Sequence, residues 1–380
     1  MKRLVVLGST GSIGRQALEV VDALADEIEV VGLGARRDAD ALVGQALQYR
    51  PKAIALVEEQ SAALVRSRVP PGTVVFTGRE ALTRLATQVE ADIVLVAVVG
   101  IAGLLPTLQA LRAGRDVALA NKETLVAGGA LVTREAARRR KMLLPVDSEH
   151  AAIAQCLRGE SLESVRRVLL TGSGGPFLRR PIATLDQVGR DEALAHPTWN
   201  MGEKITVDSA TLMNKGFEVI EAHWLFGLAG EQIDVVIHPQ SIVHSLVEFV
   251  DGSVKAQLAP PDMRMVIAYA LTAPRRLPLP SPVVEWDRLQ LTFERPDPAR
   301  YPCLGLAYDA LREGGTMPAV LNASNEVGVE RFLAGSIRFT GIARAVEATM
   351  DAHRPVSEPS LEEVLAADAW AREQALLALR

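Results

Sequence analysis

The sequence contains 380 residues, of which 48% are hydrophobic and 23% are charged, and its formal net charge is −5. This length allows two or three domains with large cores, and the composition argues against a disordered chain. The longest basic block, residues 138–141, is explained by the solvated end of a helix, so nothing indicates a nucleic-acid-binding protein.

Cysteine usage and the apolar runs indicate where the protein works. Cys156 and Cys303 are far apart and lack the spacing of a disulfide framework or a zinc site. The chain enters a strand pattern at once, without the leader of a signal peptide. Glycine and proline interrupt the longest apolar run, residues 93–111, as in a strand that turns into a helix. We therefore expect a cytoplasmic protein without a membrane partner.

A glycine-rich turn follows the first predicted strand, residues 3–7. Residues 8–14 read Gly-Ser-Thr-Gly-Ser-Ile-Gly and precede an apolar-periodic helix pattern. Glycine lets the backbone approach a pyrophosphate, and the helix N-terminus supplies N–H donors. Because the spacing departs from Gly-x-Gly-x-x-Gly, a plain tight turn is the alternative to dinucleotide binding.

The second predicted strand, residues 28–33, is followed by Arg36 and Arg37 rather than by an acidic residue. A carboxylate there would bind the ribose of NAD, whereas an arginine can bind the 2′-phosphate of NADP. Solvated surface arginines are the alternative interpretation. Beside the glycine turn, the two arginines favour NADP over NAD.

Strands and helices continue to alternate through residues 53–57, 73–76, 93–99, 117–120 and 142–146, all predicted strands. This pattern is typical of an α/β fold with a doubly wound parallel sheet, whose ligands bind at the carboxyl ends of the strands. Asp147 and Glu149 follow the last of these strands. In an extended backbone they would project to one face, as a pair of oxygen ligands suited to magnesium or manganese. Paired acidic residues are more often simply solvated.

Residues 196–226 are the most informative stretch, and we predict a loop followed by a helix. The loop combines Pro197 and Gly202 with Trp199 and Met201, two large apolar side chains that a surface loop does not need for folding. That composition suits a lid over a ligand, and we assign the lid to residues 196–204.

The predicted helix carries polar side chains on one face. Asp208 and Ser209 are expected to cap its start, where free backbone N–H groups attract an anion. Asn214, Lys215 and Glu218 then fall within one turn of each other. A phosphate and a cation could both bind here, although an ordinary solvated ion pair is the alternative.

The rest of the chain completes the predicted domain organisation. A small-residue turn after the strand at residues 168–170 contains Ser173 and could hold a phosphate, although an ordinary loop is the alternative. Further strands are predicted at residues 235–238, 241–249 and 254–258. The predicted domains are a Rossmann-like NADPH-binding domain (1–147), an α+β catalytic domain (148–274), a linker (275–303) and a C-terminal helical bundle (304–380).

The sequence resembles the 1-deoxy-D-xylulose 5-phosphate reductoisomerase family over essentially its whole length. Six motifs in the same order make a chance match negligible. The motifs occupy residues 8–14, 119–123 (Leu-Ala-Asn-Lys-Glu), 145–150 (Pro-Val-Asp-Ser-Glu-His), 170–177 (Leu-Thr-Gly-Ser-Gly-Gly-Pro-Phe), 196–226 and 237–241 (Ile-His-Pro-Gln-Ser).

The resemblance implies specific roles for residues of this chain. It implies that Asp147, Glu149 and Glu218 bind the metal, Mg²⁺ or Mn²⁺, and that Lys122 acts beside the reacting carbonyl. Implied substrate contacts are Lys122, Ser148, Glu149, Ser173, His196, Trp199, Met201, Ser209, Asn214, Lys215 and Glu218. Implied NADPH contacts are Thr10, Gly11, Ser12, Ile13, Asn121, Glu123, Gly202 and the Arg36/Arg37 pair, of which either could bind the 2′-phosphate.

The resemblance also implies the reaction. The enzyme would rearrange 1-deoxy-D-xylulose 5-phosphate by breaking and rejoining a carbon–carbon bond, and reduce the product with NADPH to 2-C-methyl-D-erythritol 4-phosphate. The resemblance further implies a homodimer, with the dimer interface in the catalytic domain. One alternative is an NADPH-dependent sugar-phosphate dehydrogenase without rearrangement, which would not need three metal-binding carboxylates. The other is a non-catalytic NADPH-binding sensor, which would not need the lid, the lysine and the carboxylates.

Overall fold

The computed structural model describes residues 1–199 and 201–379, which form two compact units. Within these residues, no helix is both long enough and apolar enough to cross a bilayer. Unit 1 contains Met1–Thr124, Ala130–Ala151 and Asp262–Pro282, and unit 2 contains Leu125–Gly129, Ala152–Pro261 and the chain from Val283 onward.

Eleven strands and fifteen α-helices are found in the described residues. In chain order they are β1 Lys2–Leu7, α1 Ser12–Ala23, β2 Ile28–Ala35, α2 Ala39–Tyr49, β3 Ala53–Leu56, α3 Ala62–Arg68, β4 Val74–Thr77, α4 Ala81–Gln88, β5 Ile93–Val96, α5 Leu104–Arg112, β6 Asp116–Leu119, α6 Lys122–Arg139, β7 Leu143–Pro145, α7 Ser148–Cys156, β8 Val165–Gly172, α8 Arg190–Leu194, α9 Glu203–Thr211, α10 Met213–Phe226, β9 Ile233–Ile237, β10 Val243–Phe249, β11 Val254–Leu258, α11 Met263–Thr272, α12 Pro302–Glu313, α13 Met317–Leu333, α14 Gly341–Asp351 and α15 Leu361–Ala378.

Unit 1 is built on a seven-stranded parallel sheet with the order β4-β3-β2-β1-β5-β6-β7. The central strand β1 is fully buried over Val5, Val6 and Leu7, as expected for a parallel sheet covered on both faces. Helix α11 packs against α1 in this unit. The predicted doubly wound sheet is therefore confirmed.

The glycine turn between β1 and α1 has little space for side chains. Gly8 has φ +90°, and a Cβ added to it would lie 2.4 Å from the carbonyl oxygen of Ala97. A Cβ on Gly14 would lie 2.2 Å from the carbonyl oxygen of Gly8. Only glycine at both positions lets α1 approach the strand end so closely.

Unit 2 contains a four-stranded sheet with the order β11-β10-β8-β9. Strands β8 and β9 are parallel, and β10 pairs antiparallel with both β8 and β11. Helix α10 contributes to two cores: Val219 and Ala222 join the core beside the sheet, whereas Phe217 and Ile220 pack with helices α12 to α15. Helix α10 thus joins the C-terminal helices to the four-stranded sheet within unit 2.

The two units differ from the predicted domains at several boundaries, and two of these differences have a clear packing cause. Residues 262–274 belong to unit 1, because α11 packs on α1. The C-terminal helices belong to the same unit as the four-stranded sheet, because α10 packs against both. The functional division into NADPH-binding, catalytic and C-terminal domains stays a prediction.

Residues 203–226 form two helices, whereas the sequence analysis predicted a single helix capped by Asp208 and Ser209. That prediction was wrong, because both residues lie inside α9. Leu212 ends α9 with φ 60° and ψ 13°, the left-handed conformation, and α10 starts at the next residue. The buried Leu212 side chain fixes this break in the core of unit 2.

The end of the predicted linker is attached to the sheet of unit 2. His238, directly after β9, has Nδ1 2.9 Å from the carbonyl oxygen of Thr292, and Glu294 pairs with Ile237 as an isolated bridge. Earlier in the same segment, Trp286 is 67% exposed. The segment therefore combines an exposed part with an anchored end.

Candidate active site

Asn121 organises the start of α6, at the carboxyl end of β6. Its Oδ1 accepts the backbone N–H of Thr124, and its Nδ2 lies 3.0 Å from the carbonyl oxygens of Val98 and Gly100 and 2.8 Å from Glu123 Oε2. The side chain is 1% exposed. The Asn121 amide therefore holds this loop in place, and any contact of Asn121 with a cofactor would have to coexist with that bonding.

Lys122 and Asp147, both expected in the active site, form an ion pair in unit 1. Asp147 Oδ1 also accepts the backbone N–H groups of Glu149 and His150, at 3.1 and 3.3 Å. Asp147 thus caps α7, and Glu149 lies in the first helical turn. The expected extended backbone from Asp147 to Glu149 was wrong, because this cap starts a helix there.

His150 is a site residue that the sequence analysis did not assign. It is fully buried, and its Nδ1 lies 2.8 Å from Asp147 Oδ1. An Asp followed three residues later by a His at a helix start was the available signal. Ser148, one residue after Asp147, is also buried and hydrogen-bonds to Glu149 Oε2.

The carboxylates at the start of α7 have the chemistry of a magnesium or manganese site. Asp147 and Glu149 supply hard oxygen ligands, and the backbone N–H groups and His150 fix the orientation of Asp147. The Lys122 ammonium supplies a positive charge directly beside Asp147. Unit 1 therefore contains charges suited to a cation and to an oxygen that gains negative charge.

In unit 2, Ser173, His196 and Ser209 form a cluster from three separate segments. His196 Nε2 lies 3.0 Å from Ser173 Oγ and 3.1 Å from Ser209 Oγ. Its Nδ1 accepts the backbone N–H groups of Thr198 and Trp199, at 3.2 and 2.9 Å. This pattern assigns the ring proton to Nε2, so the imidazole can donate between the two hydroxyls.

His196 is electrically neutral near pH 7. Burial lowers the pKa of its imidazole from 6.5 to about 4, because desolvation disfavours the charged form. A neutral imidazole and two hydroxyls can bind phosphate oxygens as donors without adding a net charge. Nearby cationic charge has to come from another residue.

Lys215 provides that charge in the first turn of α10. Its Nζ lies 2.5 Å from Glu218 Oε2, while Asn214 Nδ2 lies 2.6 Å from Glu218 Oε1. Lys215 and Glu218 are 3% and 1% exposed. A Cβ on Gly172, the residue before Ser173, would lie 3.2 Å from Lys215 Cε, so Lys215 packs against the small-residue turn.

The predicted lid lies between α8 and α9, and its last two residues belong to α9. Trp199 is partly buried, with its ring centroid 6.3 Å from that of His244. Met201 is also partly buried. Asn200, which falls within the predicted lid, lies outside the described residues.

The predicted cofactor residues of unit 1 lie at three strand ends, and two of them, Asn121 and Glu123, follow β6 as described above. Gly11 is the N-cap of α1, Ser12 and Ile13 begin that helix, and Thr10 belongs to the preceding turn. Arg36 and Arg37 directly follow β2 and are exposed, and Arg36 Nε lies 3.8 Å from Glu58. Gly202, the N-cap of α9, belongs to unit 2.

Comparison with known proteins identifies the family. Models of 1-deoxy-D-xylulose 5-phosphate reductoisomerase match residues 4–129, and models of its C-terminal domains match residues 143–226 and 258–374. The reductoisomerase of Pelotomaculum thermopropionicum is 54% identical, with 100% of this chain and 99% of that protein covered. This chain belongs to the 1-deoxy-D-xylulose 5-phosphate reductoisomerase family.

Other relatives in the reductoisomerase family are similarly close. The Geobacter metallireducens reductoisomerase is 51% identical, with 98% of each chain covered. The Zymomonas mobilis reductoisomerase in complex with NADPH is 40% identical with a TM-score of 0.94, over 100% of this chain and 99% of that one. A reductoisomerase structure with NADPH, fosmidomycin and magnesium is 38% identical with a TM-score of 0.95, over 100% and 98%.

Proposed function

We propose that this chain catalyses the metal-dependent isomerisation and NADPH-dependent reduction of 1-deoxy-D-xylulose 5-phosphate to 2-C-methyl-D-erythritol 4-phosphate. This is a step of the non-mevalonate route to isoprenoid precursors. Membership of the reductoisomerase family over the whole chain carries the proposal. Related structures that hold NADPH and magnesium support the choice of cofactors, NADPH and a divalent cation, Mg²⁺ or Mn²⁺.

The substrate phosphate is bound by the polar cluster of unit 2 in this proposal. Ser173 and Ser209 donate their hydroxyls, and His196 donates from Nε2, a geometry supported by their distances of 3.0 and 3.1 Å. Asn214 and Lys215 add an amide and a positive charge. Holding the phosphate fixes the orientation of the carbon chain before reaction.

Asp147, Glu149 and Glu218 hold the divalent cation in this proposal. When bound, the cation supplies Lewis-acid polarisation of the substrate oxygens, and NADPH supplies the hydride. Lys122 places positive charge beside the reacting carbonyl, and Ser148 contacts the substrate. Trp199 and Met201 close over the substrate and keep water away from the reacting carbons.

NADPH is held along the carboxyl edge of the parallel sheet in this proposal. The glycine turn and the start of α1, from Thr10 to Ile13, bind the pyrophosphate, and Arg36 or Arg37 binds the 2′-phosphate. Asn121, Glu123 and Gly202 are further NADPH contacts in this proposal. The tight packing at Gly8 and Gly14 supports this use of the turn.

We further propose that the protein is a homodimer and works in the cytoplasm. Strand β11 is at the edge of its sheet, and its first three residues, including Val254, are exposed. An exposed edge strand can pair with a second copy. Sedimentation at several concentrations tests the dimer, and Val254→Lys should shift the protein toward monomer.

The test of the reaction is loss of NADPH absorbance on adding 1-deoxy-D-xylulose 5-phosphate. Oxidation should stop on chelation of divalent metal, return with Mg²⁺ or Mn²⁺, and be slower with NADH. Analysis of the product's carbon skeleton separates rearrangement from simple reduction. An unbranched product would favour the plain dehydrogenase, and no oxidation by folded, metal-loaded protein would favour the non-catalytic sensor.

A variant pair tests the metal role. Glu218→Gln should lower turnover by roughly a hundredfold or more while leaving NADPH affinity unchanged, since a metal ligand is lost. Glu135→Gln is the matched control, because Glu135 is a buried carboxylate that pairs with Arg139 in unit 1. Equal loss of turnover in both variants would contradict the assignment.

A further inference from the structure

A buried carboxylate lies one residue before the proposed phosphate ligand Ser209. Asp208 is 1% exposed and lies in α9. Its Oδ1 is 2.8 Å from Asn325 Nδ2 in α13, and its Oδ2 is 2.8 Å from Lys204 Nζ. A carboxylate this buried needs such partners, because taking it out of water is costly.

Asn325 has no evident role in the stability of its own helix. It is fully buried in the middle of α13, and its Oδ1 accepts no hydrogen bond from the described residues. Leaving a buried polar atom unpartnered is destabilising, so an apolar side chain would suit α13 better. The hydrogen bond that Asn325 donates goes to Asp208.

Lys204 extends the same network to α10. It lies one turn before Asp208 in α9, and its ammonium is 4.8 Å from the centre of the Phe217 ring. Asp208 therefore links α9 to α13 directly and, through Lys204, to α10. Both links act on the helix that carries Ser209.

The position of Ser209 depends on how α9 is held. Ser209 Oγ lies 3.1 Å from His196 Nε2, so a shift of α9 by a few tenths of an ångström would disturb the cluster. Within α9, Asp208 is the neighbour of Ser209 that is bonded to another helix. The bonds of Asp208 therefore restrain the backbone directly next to Ser209, and so the position of the Ser209 hydroxyl.

We propose that Asn325 is a positioning residue for phosphate binding. By holding Asp208, it fixes α9 so that the Ser209 hydroxyl faces the substrate phosphate. The C-terminal helices thereby contribute to substrate affinity without touching the substrate. This inference rests on the proposed function for the identity of the phosphate as part of a sugar phosphate.

The test compares Asn325→Leu with Ser324→Ala. Ser324 is a matched control, because it is fully buried in α13 and bonds to Val320 of its own helix. Asn325→Leu should raise the KM for the sugar phosphate and the Kd for inorganic phosphate by about tenfold each, as one charge-assisted bond is lost. The KM for NADPH should change less than about twofold, and Ser324→Ala should leave all three constants within that range.

Two further variants keep the test decisive. Asp208→Asn keeps an acceptor for Asn325, so its phosphate Kd should stay within about threefold of wild type. If Asn325→Leu does not fold, Asn325→Ala removes the same bond with less bulk. Folded Asn325 variants with wild-type phosphate affinity would overturn the inference.

A measurement without turnover separates the inference from the proposed function. Hydrogen exchange of the α9 amides should be faster in Asn325→Leu than in Ser324→Ala. Calorimetry with inorganic phosphate needs no activity. If wild type binds phosphate but does not convert 1-deoxy-D-xylulose 5-phosphate, the proposed function fails, while the Asn325 comparison still decides the inference.

Discussion

Lys215 and Glu218 lie one turn apart on α10, and the Lys215 ammonium donates to Glu218 Oε2 across 2.5 Å. Asn214 donates to the other oxygen of the same carboxylate. Asn214 and Lys215, which we propose to bind phosphate, therefore hydrogen-bond to Glu218, which we propose to bind the metal. A phosphate that attracts Asn214 and Lys215 would leave the Glu218 oxygens available to a cation. Phosphate and the divalent cation should therefore bind cooperatively.

Asn214 and the cation compete for the same carboxylate oxygen of Glu218, which makes a specific prediction for Asn214→Ala. The variant removes a donor from Glu218 Oε1 without changing any charge, so Mn²⁺ should bind about three- to tenfold more tightly in the absence of phosphate. The gain in Mn²⁺ affinity on adding inorganic phosphate should shrink by a similar factor. Electron paramagnetic resonance titration of free Mn²⁺ measures both quantities. Unchanged Mn²⁺ affinity in the variant would show that Asn214 does not compete with the cation.

Trp199 is predicted to act in the lid. Trp199→Ala should raise the KM for the sugar phosphate by about tenfold and lower kcat, because the large side chain that excludes water is lost. Trp286→Ala is the control, since Trp286 is 67% exposed and lies in the segment between α11 and α12. Steady-state kinetics should separate the two variants, and identical kinetics would argue against a lid role.

The arginines after β2 are predicted to select NADPH. Arg36→Gln or Arg37→Gln should raise the KM for NADPH by about tenfold or more and leave that for NADH nearly unchanged, because only NADPH carries the 2′-phosphate. Comparing the two variants identifies the arginine in contact. Arg36 already lies near Glu58, which makes Arg37 the more available partner. An equal effect on both cofactors would point to a loss of structure instead.

The low pKa of His196 predicts a pH dependence of stability. The unfolded chain, with a histidine pKa of 6.5, binds a proton that the folded protein takes up only near pH 4. The stabilisation associated with neutral His196 is therefore complete above about pH 6.5 and is lost as the pH falls toward 4. It amounts to roughly 2 kcal/mol once partial solvent access is allowed for.

Urea unfolding of wild type and His196→Gln between pH 7.5 and 4.5 tests this prediction. The wild type should lose stability more steeply with falling pH than the variant does. Burial also lowers the pKa values of His238 and His353, so both proteins should retain a common slope. Parallel curves would mean that His196 titrates normally in the folded state.

The parallel sheet was predictable because each strand is a short apolar run that ends at glycine or polar residues. Strands buried on both faces produce such runs, and the helices between them show clear apolar periodicity. The division of residues 203–226 was not predictable in the same way. Residues 203–211 mix charged and β-branched residues without a helical period, and burial of Val207 and Ala210 stabilises α9.

The candidate site was predictable where its residues lie close in the chain. Asn214, Lys215 and Glu218 are grouped by helical spacing, and the structure brings them together as expected. Their roles in binding stay a prediction. The bond between Asp208 and Asn325 joins residues 117 positions apart, and no local pattern indicates it.

The left-handed Leu212 separates the helical registers on either side of it. In one continuous helix, a one-residue insertion before residue 212 would rotate every preceding side chain by about 100° relative to Lys215. With the break, such a change can be absorbed at the joint, although the backbone strain there costs on the order of 1 kcal/mol. The positions of the Ser209 hydroxyl and the Lys215 ammonium can thus change independently during evolution, because the two residues belong to different helices.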